Sequence, residues 1–358
     1  MNTNMFCGEG PFVVAGLMSG TSGDGLDLAL VEFRKGEKWS YQILHAETIS
    51  YQGELLRFVE ESIIVESERL LEFHFELGRF MGQQLKRTCD KTGITPVLVG
   101  SHGHTVFHQP QRGFTFQAGH AGLVANISGI PVCGDFRSQD VSLGGNGAPL
   151  VPIGDELLFP EFDACLNLGG IANISFRKGH TRKAFDICVA NMAMNYLSGK
   201  VGKEYDKGGA IAASGKALPE LVQALSDLDY FSRPAPKSLG REWFEHTMKP
   251  LLENEVLSVP DRLASFVAHC ADQISLAVPE LCRKVLVTGG GTWNDYLLKE
   301  LNNRIPGIWQ VPAKEVIDYK EALVFAFLGL LRARNEINVL AEVTGSTESH
   351  VAGGMYMP

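Results

Sequence analysis

Paired cysteines are missing from this chain. Its seven cysteines (Cys7, Cys89, Cys133, Cys165, Cys188, Cys270 and Cys282) are odd in number, scattered, and form no CxxC pair. That pattern argues against a disulfide framework or a cysteine zinc site, and reads as reduced thiols in a cytosol, mostly small buried hydrophobes. A block of Lys and Arg interleaved with aromatics is missing too, and with a formal net charge of -9 the chain disfavours a nucleic-acid partner. No apolar run is long enough to span a bilayer, and residues 1–10 lack a basic region followed by an apolar run. A cytoplasmic protein with no membrane partner is therefore expected.

What the chain does have is glycine gathered in turns. Residues 12–18 form a short apolar run, residues 19–25 are turn formers, and residues 26–33 resume as apolar. This strand, turn, strand pattern reads as a β-hairpin. Gly20, Gly23 and Gly25 let the backbone approach a ligand closely, and Ser19, Thr21 and Ser22 add hydroxyl donors, so the turn can hold a phosphate; the alternative is an ordinary glycine-rich hairpin. A Walker A loop needs Lys followed by Ser or Thr after its second glycine, and the dinucleotide fingerprint needs a helix after its turn. This turn has no Lys and leads into a strand. A strand-turn-strand phosphate clamp remains.

At 358 residues the chain exceeds the size at which one core keeps growing, so two domains are expected, with a ligand cleft between them. Residues 39–49 complete a three-stranded meander, residues 53–91 carry apolar positions at helical spacing, and residues 95–100 read as a buried strand. That strand is expected to run out into a loop at residues 101–105. There His102 and His104, two apart with no third ligand nearby, read as hydrogen-bonding groups facing a polar substrate rather than as metal ligands. Asp135 and Arg137 precede the Gly/Pro-rich stretch 143–152, where the domain boundary is expected; they read as a solvent-exposed pair, or as an Arg offering a bidentate fork to a substrate carboxylate.

The second half opens as the first did. Residues 163–176 are again strand, Gly169-Gly170 turn and strand, an echo that points to a duplicated fold. Asp186 follows, at the end of a strand-like segment and before apolar helical material, where helix capping is its plainest reading. Residues 284–288 form a buried strand ending in Gly289, Gly290 and Gly291, with Asn294 at the start of the next helix. Glu321 stands near the start of an apolar helix, where the helix dipole alone explains an acid.

These motifs, in this order, resemble those of a known family. GLMSGTSGDGLD (16–27) is similar to the GxMSGTSxDGxD signature of the anhydro-N-acetylmuramic acid kinases, within the actin, hexokinase and Hsp70 superfamily of ATPases. SHGHT (101–105) resembles the family's GSHGQTV, GDFR (134–137) its ADFR, residues 144–152 its GGQGAPLVP, FDICVAN (185–191) its FDTGPGN, and EALVFA (321–326) its EALAFA. The resemblance implies two actin-like (ribonuclease H-like) α/β domains with mixed sheets flanked by helices and a cleft between them, divided as 1-140 and 141-358. It implies ATP and Mg²⁺. Gly20, Thr21, Ser22, Gly23, Asp24, Gly25, Leu26 and Asp27 would form the first phosphate motif, Gly169 and Gly170 the second, and Gly289, Gly290, Gly291 and Asn294 the adenosine motif. Asp24 would be the metal's carboxylate partner, Asp186 the catalytic base, and His102, His104, Asp135, Arg137 and Glu321 the substrate-binding groups. The implied reaction phosphorylates O6 of 1,6-anhydro-N-acetylmuramic acid while water opens the anhydro bridge at C1, serving cell-wall recycling; a homodimer is implied as well. Two other readings stay open: a superfamily sugar kinase acting on an ordinary hydroxyl, and a nucleotide-dependent actin-like binding module.

Overall fold

The computed structural model describes residues 6–20, 25–61, 66–235 and 237–358. Thr21, Ser22, Gly23 and Asp24, expected at the first phosphate turn, lie outside the described residues. The chain divides into two compact units, one of Met1–Phe159 with Tyr319–Pro358 and one of Pro160–Asp318.

In the first unit β1 (Phe12–Ser19), β2 (Leu26–Lys35) and β3 (Trp39–Ile49) form the expected antiparallel meander. β4 (Leu98–Gln109) joins β1 in parallel, β5 (Phe114–Ala118) folds back antiparallel on β4, and β6 (Val132–Gly134) joins β4 in parallel. The second unit repeats the plan. β7 (Ala164–Leu168), β8 (Ile171–Lys178) and β9 (Thr181–Val189) are a second meander, and β10 (Val285–Thr288) and β11 (Trp309–Gln310) extend it in parallel from β7. β12 (Gly354–Tyr356) returns to the first unit and pairs antiparallel with β6. The sheets therefore read β12-β6-β4-β1-β2-β3 and β11-β10-β7-β8-β9. Both place an antiparallel meander beside two parallel strands in the ribonuclease H-like order, so the echo between residues 12–33 and 163–176 is a repeat of structure.

Two helical layers cover the first sheet. Helix Ser67–Thr92 buries Phe73, Leu77, Met81 and Leu85, four apart, in one core with Leu26, Leu28 and Leu30 of β2, which is the stripe the helical periodicity predicted. On the strand backbones themselves lies the helical stretch 320–333, which follows a kink at Tyr319. A Cβ on Gly16 of β1 would sit 1.8 Å from the Ala322 carbonyl oxygen, and one on Gly100 of β4 would sit 1.9 Å from that of Phe325. Only glycine permits that approach of helix to sheet.

Two expectations change and one holds. The division expected between residues 140 and 141 falls instead after Phe159, and residues 319–358 rejoin the first unit. The stretch after residue 140 stays because buried Asp140 accepts hydrogen bonds from Gly147 N at 2.6 Å and Thr344 Oγ1 at 2.7 Å, while Asn146 N donates to Thr344 O at 2.8 Å. Residues 101–105 are not a loop but the middle of β4, extended to Gln109 by its pairing with β5. Glu321 stands near a helix start as expected: the helical run Lys314–Ala333 is broken at Tyr319 (φ -120°, ψ 16°), and a new helical stretch begins just before Glu321.

All seven cysteines are free thiols. Cys133, Cys165, Cys188 and Cys270 are buried, Cys89 and Cys282 half-buried, and Cys7 exposed. No helix among the described residues is long and apolar enough to cross a membrane.

Candidate functional site

Asp186 lies on β9, three residues before the strand ends at Val189, and it does not cap the helix that follows. That helix, Asn191–Gly199, has Ala190 at its N-cap with no side-chain bond. The register of β8 and β9 slips between Ala172 and Asn173, leaving Ile187 as an extra residue beside Asp186. Such a bulge re-aims the neighbouring side chain. Residues 187–190, the departure from TGPG, are all buried and form an apolar strand end. Tyr230, Lys237 and Leu239 fix the acid in place: Asp186 N donates to Lys237 O at 3.1 Å, Tyr230 Oη donates to Asp186 O at 2.5 Å, and Leu239 N donates to Asp186 Oδ2 at 2.9 Å. Burial raises the Asp186 pKa to about 6, against the pull of the Leu239 N–H. Nothing in the sequence motif announced Tyr230 or Leu239, since both act on Asp186 from some fifty residues further along the chain.

The Gly169-Gly170 turn joins β7 to β8, and its carbonyls hold the start of helix Asn191–Gly199. Gly170 O accepts from Ala190 N (2.9 Å) and Met192 N (3.2 Å), and Gly169 O accepts from Asn191 N (3.1 Å). Asn191 Nδ2 donates to Leu168 O at 3.0 Å. The third glycine turn packs on the second: a Cβ on Gly291 would lie 2.7 Å from Leu168 Cβ, and one on Gly289 (φ 83°) would lie 2.5 Å from Asn167 Oδ1. Those two glycines are required by the fold. Gly169, Gly170 and Gly290 are not, because their φ values are ordinary and an added Cβ would meet nothing closer than 3.4, 3.8 and 3.7 Å. Three glycines in one neighbourhood that the protein's own packing does not need leave room for something else. Asn294 is mostly buried and caps helix Asp295–Arg304, accepting from Leu297 N through Oδ1 at 3.0 Å, so it anchors the turn.

In the first unit the end of β1 is tied down by a chain of hydroxyls. Tyr51 Oη donates to Ser19 Oγ at 2.7 Å, and Ser19 Oγ lies 3.0 Å from His104 Nδ1. Ser19 is thus a buried strand residue rather than a free donor of the turn. Gly20 is half-buried; Gly25 is packed where a Cβ would meet Ile49 O at 2.7 Å; Leu26 is fully buried in the core; and Asp27 Oδ1 accepts from Thr48 Oγ1 at 2.6 Å. Burial lowers the His104 pKa to about 4.

His102 and Arg137 meet each other. Arg137 Nε donates to His102 Nε2 at 3.0 Å, Nη2 lies 2.8 Å from the same atom, and Nη1 donates to Gly147 O at 2.5 Å. His102 Nδ1 donates to Gly103 O at 2.9 Å, so the ring is neutral; burial, and then the Arg137 charge, hold its pKa well below the usual value. Of the five guanidinium N–H groups, these contacts leave two, one on each terminal nitrogen. A carboxylate would therefore meet Arg137 end-on. Burial lowers the Arg137 pKa to about 10, with the nearby carboxylates of Glu321 and Asp140 acting in the opposite sense. Glu321 is solvent-exposed yet closely surrounded, which raises its pKa against Arg137 and Lys320. Asp135 does not pair with Arg137 in a salt bridge; exposed at φ 53°, it accepts from Ser138 N through Oδ1 at 3.2 Å. Among the described residues no group of three or more His, Cys, Asp or Glu could hold a metal ion.

Two α/β units of one strand order, each opening on a strand, a glycine-bearing connection and an antiparallel partner, define a protein of the actin-like class. The family model described as anhydro-N-acetylmuramic acid kinase matches residues 12–358, and the chain belongs to that family. A relative of that name from Shewanella denitrificans is 32% identical over 97% of this chain and 98% of its own length. Another, from Pasteurella multocida, is 33% identical over 97% of each. Among solved structures, component A of the (R)-2-hydroxyglutaryl-CoA dehydratase of Acidaminococcus fermentans is similar with a TM-score of 0.47 and 11% identity, covering 90% of this chain and 99% of that one.

Proposed function

We propose that this protein uses ATP and water to convert 1,6-anhydro-N-acetylmuramic acid to N-acetylmuramic acid 6-phosphate. The observation that carries the reading is Asp186: a carboxylate set beside a strand bulge, with a pKa of about 6, about 10 Å along β9 from the glycine turn. A base works best when its pKa lies close to the working pH, and Asp186 is mostly ionised at neutrality while still holding a proton readily. Water attacks C1; Asp186 takes its proton; the C1–O6 bond breaks; O6 attacks the γ-phosphorus, and the bond to ADP breaks. The histidines are poorer candidates for the base. His102 uses both ring nitrogens on Gly103 O and Arg137, and His104 has a pKa of about 4 with one nitrogen on Ser19.

The open glycines Gly169, Gly170 and Gly290 fit a nucleotide, since a Cβ at each would occupy space the protein leaves vacant. The N–H groups of Gly169 and Gly170 would face its phosphates, and Gly290 would lie against its adenosine. A Mg²⁺ ion, where bound, neutralises phosphate charge during transfer, and Asp24 is the residue proposed to hold it. Arg137, end-on, and Glu321 are proposed to address the sugar.

Incubation with the anhydro sugar, ATP and Mg²⁺ in ¹⁸O-water, read by mass spectrometry, tests the reaction. One phosphate and one ¹⁸O at C1 are expected in the product; a phosphate without ¹⁸O would point to a kinase acting on an ordinary hydroxyl. The rate should also rise as pH climbs through about 6 and level off above it, because the base is active only when unprotonated. A flat profile between pH 5 and 8 would remove Asp186 from that role.

A further inference from the structure

β9 is the outer strand of its sheet, in the order β11-β10-β7-β8-β9, so the backbone groups it turns away from β8 have no neighbouring strand to pair with. At Asp186 other parts of the chain take that strand's place. The Lys237 carbonyl accepts from Asp186 N, the Tyr230 hydroxyl donates to Asp186 O, and the Leu239 N–H donates to Oδ2 of the carboxylate. This cover falls on the bulge, where the ladder to β8 is interrupted and the strand is least held by its own sheet. It leaves Asp186 Oδ1 as the carboxylate oxygen with no hydrogen-bond partner among the described residues.

Tyr230 is itself firmly held. The residue is 2% exposed, and its ring packs on Phe231 and Trp243 with centroids 5.6 and 5.5 Å away. Its carbonyl accepts from Lys237 Nζ at 3.2 Å, and the same ammonium lies 4.6 Å from the ring centroid. Burial, and then the Asp186 charge, push the phenol up in pKa, so the hydroxyl stays protonated and keeps donating. We propose that Tyr230 is a positioning residue of the reaction: its hydroxyl, with the Lys237 carbonyl and the Leu239 N–H, closes the open edge of β9 over the bulge and leaves Oδ1 of Asp186 as the oxygen that meets water. With the peptide and Oδ2 both engaged from one side, the carboxylate cannot turn, and the proton of the attacking water goes to one atom. Loosening Tyr230 admits solvent to the acid, and the pKa that burial raises to about 6 falls. Lys237, Cys188 and Arg233 are the other ionisable groups around this pair. The assignment rests on the base proposed above.

The test is a set of pH–rate profiles. Tyr230→Phe removes the hydroxyl and keeps the ring, so the contacts with Phe231 and Trp243 survive. Its kcat at neutral pH should fall about tenfold, with KM for ATP within about twofold. The midpoint of its profile should drop from about 6 toward the ordinary carboxylate value of about 4. Trp243→Phe disturbs the same rings and keeps the hydroxyl, so its midpoint should stay at the wild-type value whatever its melting temperature. An unshifted midpoint in Tyr230→Phe overturns the proposal, and so does an equal shift in both variants, which would make packing the cause. If Tyr230→Phe melts below the assay temperature, Lys237→Met replaces it. Losing the bond to Tyr230 O should then lower the midpoint, whereas losing a charge that acted on the acid directly would raise it, so an unchanged or raised midpoint overturns the proposal. Asp186→Asn, measured alongside, separates the two levels. Wild-type turnover in that variant brings down the base and its positioning together, whereas a slow Asp186→Asn beside an unaltered Tyr230→Phe brings down the positioning alone.

Discussion

Replacing Asp186 by Asn is expected to cut turnover by about 10² to 10⁴ while the protein stays folded and still binds ATP and the sugar. Asn keeps the size of the side chain and can still accept from Leu239 N, so that contact has no reason to break. What Asn cannot do is take a proton from water. A capping role would have made this substitution nearly neutral, but the adjoining helix is capped at Ala190 without any side chain. Steady-state ADP release, a thermal melt and a binding titration on the same preparation separate the effects. Near-normal turnover in a normally melting variant would sink the mechanism and turn the search to Glu321, the other carboxylate whose pKa is raised.

The second large effect concerns the fold, and it contrasts two kinds of glycine. Gly100→Ala should lower stability by on the order of 3 kcal/mol, because the new methyl would sit 1.9 Å from the Phe325 carbonyl and a backbone oxygen inside a helix cannot swing aside as a side chain can. Gly170→Ala should leave stability unchanged, since its Cβ would meet nothing closer than 3.8 Å, yet raise KM for ATP several-fold. Urea midpoints and ATP titrations of the two variants check both halves. A Gly170 variant with wild-type ATP kinetics would mean that the room above the turn serves no nucleotide; a Gly100 variant with a wild-type midpoint would mean that the helix and sheet are not held that closely.

Much of this architecture was legible in the sequence. The two meanders show themselves because apolar runs bounded by glycine turns have few other ways to fold, and the Phe73 to Leu85 stripe has an unambiguous helical period. Features set by partners far along the chain were not legible. β4 overran its expected end because β5 pairs with it, and nothing local to residues 101–105 encodes that pairing. The division of the chain moved because Asp140 is held to Thr344, two hundred residues away in sequence. At the site, Asp186 could be located from its motif, but its raised pKa comes from burial in the folded unit. Arg137 was legible as a cation and not as one already shared with His102 and Gly147.

The placement of the thiols gives the protein a native reporter of its own opening. Cys133 is hidden in the first unit, and Cys165, Cys188 and Cys270 are hidden in the second. Burial pushes the Cys133 and Cys270 thiols up in pKa, which further protects them from alkylation in the closed fold. Each sulfur can therefore be tagged only when the unit enclosing it comes apart, and peptide mapping of an alkylated sample would tell which half loosens first without a single engineered label.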